Sequence, residues 1–299
     1  MADLTPSVPI QPATGKPFVF AIYIGEKSRT IKFSDIPIIS DEIDFQFIVA
    51  FARDFDIHDQ RTNGLFQPYW DKGHFSRPNI EDIRAKHHRV KVLFSIGASD
   101  ATFPFSPVSE ETWGGNALKS LVGQDDSISE TFGFDGIDIH YNGIATTIDV
   151  FVNTVGHLIR SIKAIKGSDF IVSISPSPEL DQYYLPLYQN YKQHIDFVNY
   201  QFYAESDPIK SVKDFKSIYI NKIDVNNYYD AKLLAGFSTA TSDSGTLKKE
   251  VFFQASRDLK SDNLLAGIFI WSADNSESDQ KNFNNEEEAQ DILDSSSKN

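Results

Sequence analysis

FDGIDIHYNGI, residues 134–144, is the stretch that decides the fold. Its aromatic and β-branched residues read as a strand, and side chains alternate faces along a strand. Asp138, His140 and Asn142 therefore share one face. A carboxylate within a buried strand is costly unless it is paired or solvated. The stretch reads as a strand carrying polar groups inward, toward a barrel axis and its upper mouth, and not as an ordinary core strand.

Seven further apolar runs surround it: FVFAIYI from Phe18, FQFIVAFA from Phe45, VKVLFSI from Val90, FIVSIS from Phe170, FVNYQFY from Phe197, KLLAGF from Lys232 and AGIFIWS from Ala266. Most are nearly continuous in apolar residues, as parallel strands covered on both faces require. Amphipathic segments alternate with them. The clearest places Ile148, Phe151, Val152, Val155, Leu158, Ile159, Ile162 and Ile165 on one face, with Gly167 as its stop. Asn79 is placed to cap a helix whose first turn holds Glu81 and Asp82, and Asp207 to cap another with Pro208 at its first position.

Eight strand and helix alternations without a Pro/Gly/Ser linker predict the α/β class and a single (β/α)8 TIM barrel over residues 17–294. Residues 1–16 read as a flexible lead-in and residues 295–299 as a polar tail. A doubly wound open sheet is the alternative. It lacks its phosphate loop here, because YIGEKSR after the first strand has a single glycine. In a barrel, functional side chains belong at the C-terminal ends of strands and on the loops that follow.

Composition excludes several classes. Asp plus Glu number 42 against 28 Lys plus Arg, a net charge of −14 that repels phosphates, so no nucleic-acid partner is expected. Cysteine is absent, which removes disulfides, thiolate metal sites and cysteine nucleophiles. No stretch approaches the roughly 20 apolar residues of a membrane span, and the opening lacks a signal-peptide core. A soluble, cytoplasmic monomer is expected, or a secreted or vacuolar one if a signal was trimmed. No G-x-S-x-G elbow appears, which argues against a serine nucleophile.

FDGIDIHYN resembles the Asp-Gly-x-Asp-x-Asp-x-Glu strand of glycoside hydrolase family 18, the chitinases, and is most similar to the plant branch that contains narbonin. The likeness extends along the barrel: VLFSIGASD resembles the third-strand Ser-x-Gly-Gly motif with Ala98 at its second glycine, and IVSISPSPE, IDFVNYQFY, LLAGFSTA and GIFIWSADNS look like the fifth to eighth strands. The resemblance implies substrate-assisted retention: a glutamic acid protonates the glycosidic oxygen, the substrate's acetamido oxygen attacks, and an aspartate orients that acetamido group. On this sequence the acid position falls on Asn142 and the orienting position on His140, while Asp135 and Asp138 match the two earlier aspartates. Asparagine has no proton acidic enough to donate near neutral pH, and general acid catalysis is worth about 10²- to 10⁴-fold. His140 also removes a negative charge, or places a positive one if protonated.

The expectation is a catalytically inactive chitinase-like barrel of storage type, which the sulfur-poor composition of one Met and no Cys suits. The alternatives are a carbohydrate-binding or inhibitor-like protein that takes N-acetylglucosamine oligomers or other glycans, and an active glycosidase with a displaced acid at Glu179 or Glu205. Tyr200, Gln201, Tyr203 and Trp271 are the substrate-binding candidates the resemblance implies, with Tyr23 and Tyr141 behind them. Trp271 either stacks on a sugar ring or plugs a degenerate cleft. Asp135, Asp138 and His140 could together hold a metal but read as a hydrogen-bonded network, so no metal or cofactor is expected. The long aromatic loops after the second and third strands either wall a sugar site or lie over an unused mouth. Arg53 and Arg61 stand where they could pair with acids of that mouth.

Overall fold

The computed structural model describes residues 17–294 apart from 29, 230, 231, 244, 280 and 281; the lead-in and the tail lie outside the described residues. The eight apolar runs form eight parallel strands: β1 (Val19–Ile24), β2 (Asp44–Arg53), β4 (Val90–Ala98), β5 (Gly136–Tyr141), β6 (Ile171–Ile174), β7 (Phe197–Tyr200), β8 (Lys232–Ser238) and β9 (Gly267–Trp271). Each pairs with the next, and β1 pairs with both β2 and β9, which closes the ring. A two-residue strand, β3 (Gln67–Pro68), folds back antiparallel on the end of β2.

The helices surround this barrel: α1 (Arg77–Lys86), α2 (Glu110–Val122), α3 (Ile128–Phe132), α4 (Ile148–Lys166), α5 (Asp181–Tyr191), α6 (Val212–Lys222), α7 (Lys249–Ser261), α8 (Ala273–Ser278) and α9 (Asn284–Leu293). Helix α4 runs where the apolar pattern predicts, with Thr147 accepting from the Val150 amide at its start and Gly167 at its end, but Ile148 and Ile165, in its first and last turns, are exposed. Its buried Phe151, Val155 and Ile159 face the barrel layer, each contributing about 1.5–3 kcal/mol.

Two helix starts differ from expectation. Helix α1 begins after Ser76, with Pro78 in its first turn, because Asn79 turns its amide back onto the Gly73 and His74 carbonyls at 2.8 and 2.9 Å. Helix α6 begins after Ser211, whose hydroxyl accepts from the Asp214 amide at 3.1 Å; Asp207 and Pro208 precede it in a segment bridged from Ile209 to Leu247.

Core packing splits into two layers, as strands with alternating faces demand. Outward side chains pack against the helices. Inward ones, including Ala21, Ile48, Leu93, Leu234 and Phe269, fill the barrel. Pairing of β5 sets Asp138 opposite Ser95 on one side and Ser173 on the other, so the three side chains occupy one inward row. Gly97 lets β4 and β5 approach closely: its φ is +108°, and a Cβ there would collide with the His140 carbonyl.

Candidate functional site

Asp138 is fully buried at the barrel axis and collects four hydroxyls, from β1, β4 and the end of β6. Ser173 and Ser175 donate to its Oδ1 at 2.7 and 2.8 Å, and Ser95 and Tyr23 to its Oδ2 at 2.7 and 3.0 Å. Burial raises its pKa, and the hydroxyl donors oppose that rise. Asn199 adds a longer amide contact at 3.4 Å. Tyr23, the weaker candidate in the sequence, is thus an inward partner of the central carboxylate. Tyr141 faces outward as alternation requires, its ring 5.4 Å from Phe105.

Asp135 does not belong to this site. It lies one parity out of step, on the outer side at the start of β5, where Arg84 meets it at 2.8 Å and the Val92 amide donates at 2.8 Å. Its role is to tie α1 to the barrel wall. The grouping of Asp135, Asp138 and His140 is therefore not a spatial one. Among the described residues no group of three or more His, Asp or Glu is arranged to hold a metal ion.

His140 stands one step above Asp138 in an aromatic cage. Tyr23, Phe51 and Trp271 place their rings 5.4, 5.3 and 5.4 Å from it. The residue is 1% exposed, and neither ring nitrogen has a hydrogen-bond partner. Burial pushes its pKa down to about 3, so the imidazole is neutral near pH 7 and no positive charge arises there.

Asn142, at the top of the same face, is tied into an amide pair. Gln201 Nε2 donates to Asn142 Oδ1 at 3.1 Å, and Asn142 Nδ2 donates to the Ser99 carbonyl at 2.9 Å. Gln201 also donates to the Ser175 carbonyl at 2.8 Å, and the Tyr203 hydroxyl lies 3.4 Å from Gln201 Oε1. These contacts arise because β7 stops at Tyr200 and residues 202–204 turn as a 3-10 helix, bringing Gln201 and Tyr203 over the barrel.

Tyr200 is the candidate the structure removes from the mouth. It points outward, donates to Asp181 at 3.1 Å and lies beneath the Lys222 ammonium, 4.5 Å from its ring centre. Glu205 is half-buried near Lys222 and Asp181, and Glu179 is exposed; neither lines the mouth.

The mouth holds a recess of about 390 Å³ bounded by His140, Asn142, Gln201, Tyr203 and Trp271. Three acids on its rim come from loops without periodic sequence signal: Glu26 after β1, Asp100 after β4 and Asp243 after β8. Glu26 accepts from the Ser99 hydroxyl, and burial raises its pKa.

Of the long loops, the one after β2 does not line the recess. It packs outside, where Trp113 Nε1 donates to Asp54 at 2.7 Å and Arg53 stacks over Phe103 at 4.3 Å. Arg61 is exposed, and its charge acts on Asp54. The loop after β4 contributes Ser99 and Asp100.

A closed parallel barrel with a carboxylate-bearing strand and an aromatic-lined recess at the C-terminal ends of its strands is a (β/α)8 barrel with its candidate site at the mouth. The sequence matches Glycosyl hydrolases family 18 over residues 19–242, and the chain belongs to that family. Chitinase 1 of Tulipa saxatilis subsp. bakeri is 36% identical over 300 residues, covering 98% of this chain and 91% of that protein. The RuBisCO-associated protein of Glycine max is 32% identical over 238 residues, covering 76% and 82% respectively. A family 18 chitinase structure from Crocus vernus superposes with a TM-score of 0.84 at 36% identity, over 92% of this chain and 99% of that one.

Proposed function

We propose that this chain is a family 18 barrel without glycosidase turnover whose mouth retains a recess for a glycan. The observation that carries the reading is the pairing of Asn142 with Gln201, at 3.1 Å, where the family pattern calls for a proton-donating glutamic acid. A neutral, caged His140 in place of the orienting carboxylate weighs the same way, because no negative charge faces a developing cation there. The recess favours a retained glycan site over a plugged mouth, with the largely buried Trp271 and Tyr203 forming its aromatic lining. A storage role rests on the low sulfur content and is compatible with either state of the mouth.

The test is release of reducing ends from chito-oligosaccharides by purified protein. No release above buffer is expected. Turnover abolished by Asn142→Ala or by Glu26→Gln would overturn the reading; the second would identify Glu26 as a displaced acid, the carboxyl that lines the recess in place of Glu179 and Glu205.

A further inference from the structure

Two residues that line the recess carry buried polar atoms without a hydrogen-bond partner. Both nitrogens of His140 lack partners although the residue is 1% exposed and lines the recess. Glu26 Oε2 is likewise buried and unpartnered, in a side chain 8% exposed. The nearest ammonium to it is Lys27, 4.0 Å away and itself 61% exposed. Unpaired buried carboxylate oxygen costs free energy that a ligand donor recovers.

Glu26 is held there by construction. The Asp274 carboxylate accepts from the backbone amides of Gly25, Lys27 and Ser28 at 2.9, 3.1 and 2.8 Å, which fixes the loop on both sides of Glu26. Ser99 occupies Oε1, while Oε2 is buried without a hydrogen-bond partner in a residue that lines the recess. Asp243 stands on the rim as well, fastened by the Ser238 hydroxyl at 2.6 Å. Among the described residues lining the recess, Lys27 is the one cation, against the acids Glu26, Asp100 and Asp243. Arg53 adds a weak attraction to Glu26, but its guanidinium is engaged on the Phe103 and Tyr69 rings.

We propose that this mouth prefers oligomers of a free 2-amino sugar, of the deacetylated chitosan type, with the ligand ammonium facing Glu26 and Asp243 and a ligand hydroxyl meeting His140. The inference rests on the glycan-recess reading above and names its ligand class. A neutral acetamide leaves the rim acids uncompensated, whereas an ammonium supplies both the charge and the donors that Glu26 Oε2 lacks. His140, uncharged, supplies one donor and one acceptor to a hydroxyl without repelling the amine.

Calorimetric titration of the full chain with three β-1,4-linked tetramers, of glucosamine, N-acetylglucosamine and glucose, tests this at about pH 6 and low salt. The glucosamine tetramer is expected to bind at least about tenfold more tightly than either neutral one, and about 0.5 M salt to erase most of that margin. Glu26→Gln and, independently, Asp243→Asn should each reduce the margin of the glucosamine tetramer over the glucose tetramer. An equal or tighter affinity for the acetylated tetramer overturns the preference and leaves the glycan recess standing. A margin untouched by both variants places the amine on some other part of this acidic surface and overturns the assignment. No heat from any tetramer at millimolar concentration sinks both readings.

Discussion

Gln201 and Asn142 answer each other's amides: Gln201 Nε2 donates to Asn142 Oδ1 at 3.1 Å, and Asn142 Nδ2 stands 3.4 Å from Gln201 Oε1. The second amide proton of Asn142 goes to the Ser99 carbonyl at 2.9 Å. An ionised glutamate at this position has acceptors only, so it would face the Ser99 carbonyl and Gln201 Oε1 without a donor. The site is built around an amide.

Asn142→Glu alone is therefore expected to destabilise the chain by about 1 kcal/mol and to remain without turnover. The lost donor to Ser99 accounts for the first effect and the missing carboxylate at His140 for the second. Adding His140→Asp should bring chito-oligosaccharide hydrolysis up by about 10²-fold or more over the single variant, since general acid and charge stabilisation act together. Denaturant melts and reducing-end assays on the wild-type chain and the two variants check both. Restoration by Asn142→Glu without the second change would show that the neutral imidazole does not block the reaction.

Asp138 is the structural centre of the mouth. Its two oxygens receive four hydroxyls, from Ser95, Ser173, Ser175 and Tyr23. Asp138→Ala strands those donors inside the barrel and is expected to cost on the order of 4 kcal/mol, visible as a lowered urea midpoint. Asp135→Ala should cost less, about 1–2 kcal/mol, because its Arg84 and Lys91 partners are partly solvated. Equal losses would contradict the division of the motif into an axial and an outer aspartate.

His140 trades stability for two free polar atoms. An imidazole with both nitrogens unpartnered in an aromatic cage pays a desolvation cost that a hydrocarbon ring does not. His140→Phe is expected to raise stability by about 1–2 kcal/mol while weakening any ligand that reaches those nitrogens. A variant that melts earlier than wild type would mean that the cage is shaped to the smaller ring.

Much of this geometry was legible in the sequence, for reasons that also explain the failures. Strands covered on both faces leave continuous apolar runs, so all eight barrel strands are readable, and period-two alternation places Asp138, His140 and Asn142 together. The same alternation would have turned Tyr200 outward and Asn199 and Gln201 inward; grouping the residues at the end of β7 by chemical type concealed that signal. It would equally have set Asp135 apart from Asp138. Glu26 and Asp243 had no such signal, because loop residues are positioned by contacts distant in sequence, as Asp274 positions the loop of Glu26. The true caps lay elsewhere: Ser76 precedes Asn79, whose amide is spent on the Gly73 and His74 carbonyls, and Ser211 follows Asp207.

Two buried titrating groups give the stability profile opposite slopes. Glu286 is fully buried in α9, with the Ser276 hydroxyl on Oε1 at 2.6 Å and no partner on Oε2, and burial pushes its pKa from 4.5 to about 7. A carboxyl raised on folding favours the protonated native state. Its contribution is complete below about pH 4.5 and is lost as pH rises through about 7, to about 3 kcal/mol in all. His140, lowered from 6.5 to about 3, works the other way: its contribution is complete above about pH 6.5 and is lost as pH falls toward 3. The two windows overlap between about pH 4.5 and 6.5, where the opposite slopes offset each other, so stability should be level there and fall on either side. Glu286→Gln should flatten the alkaline side and melt roughly 5 °C or more above wild type near pH 8, with little difference near pH 5. His140→Phe should flatten the acid side and leave the alkaline slope in place. Melting curves for the three proteins at half-unit pH steps separate the two slopes, and an alkaline slope that persists in Glu286→Gln would assign it to another group.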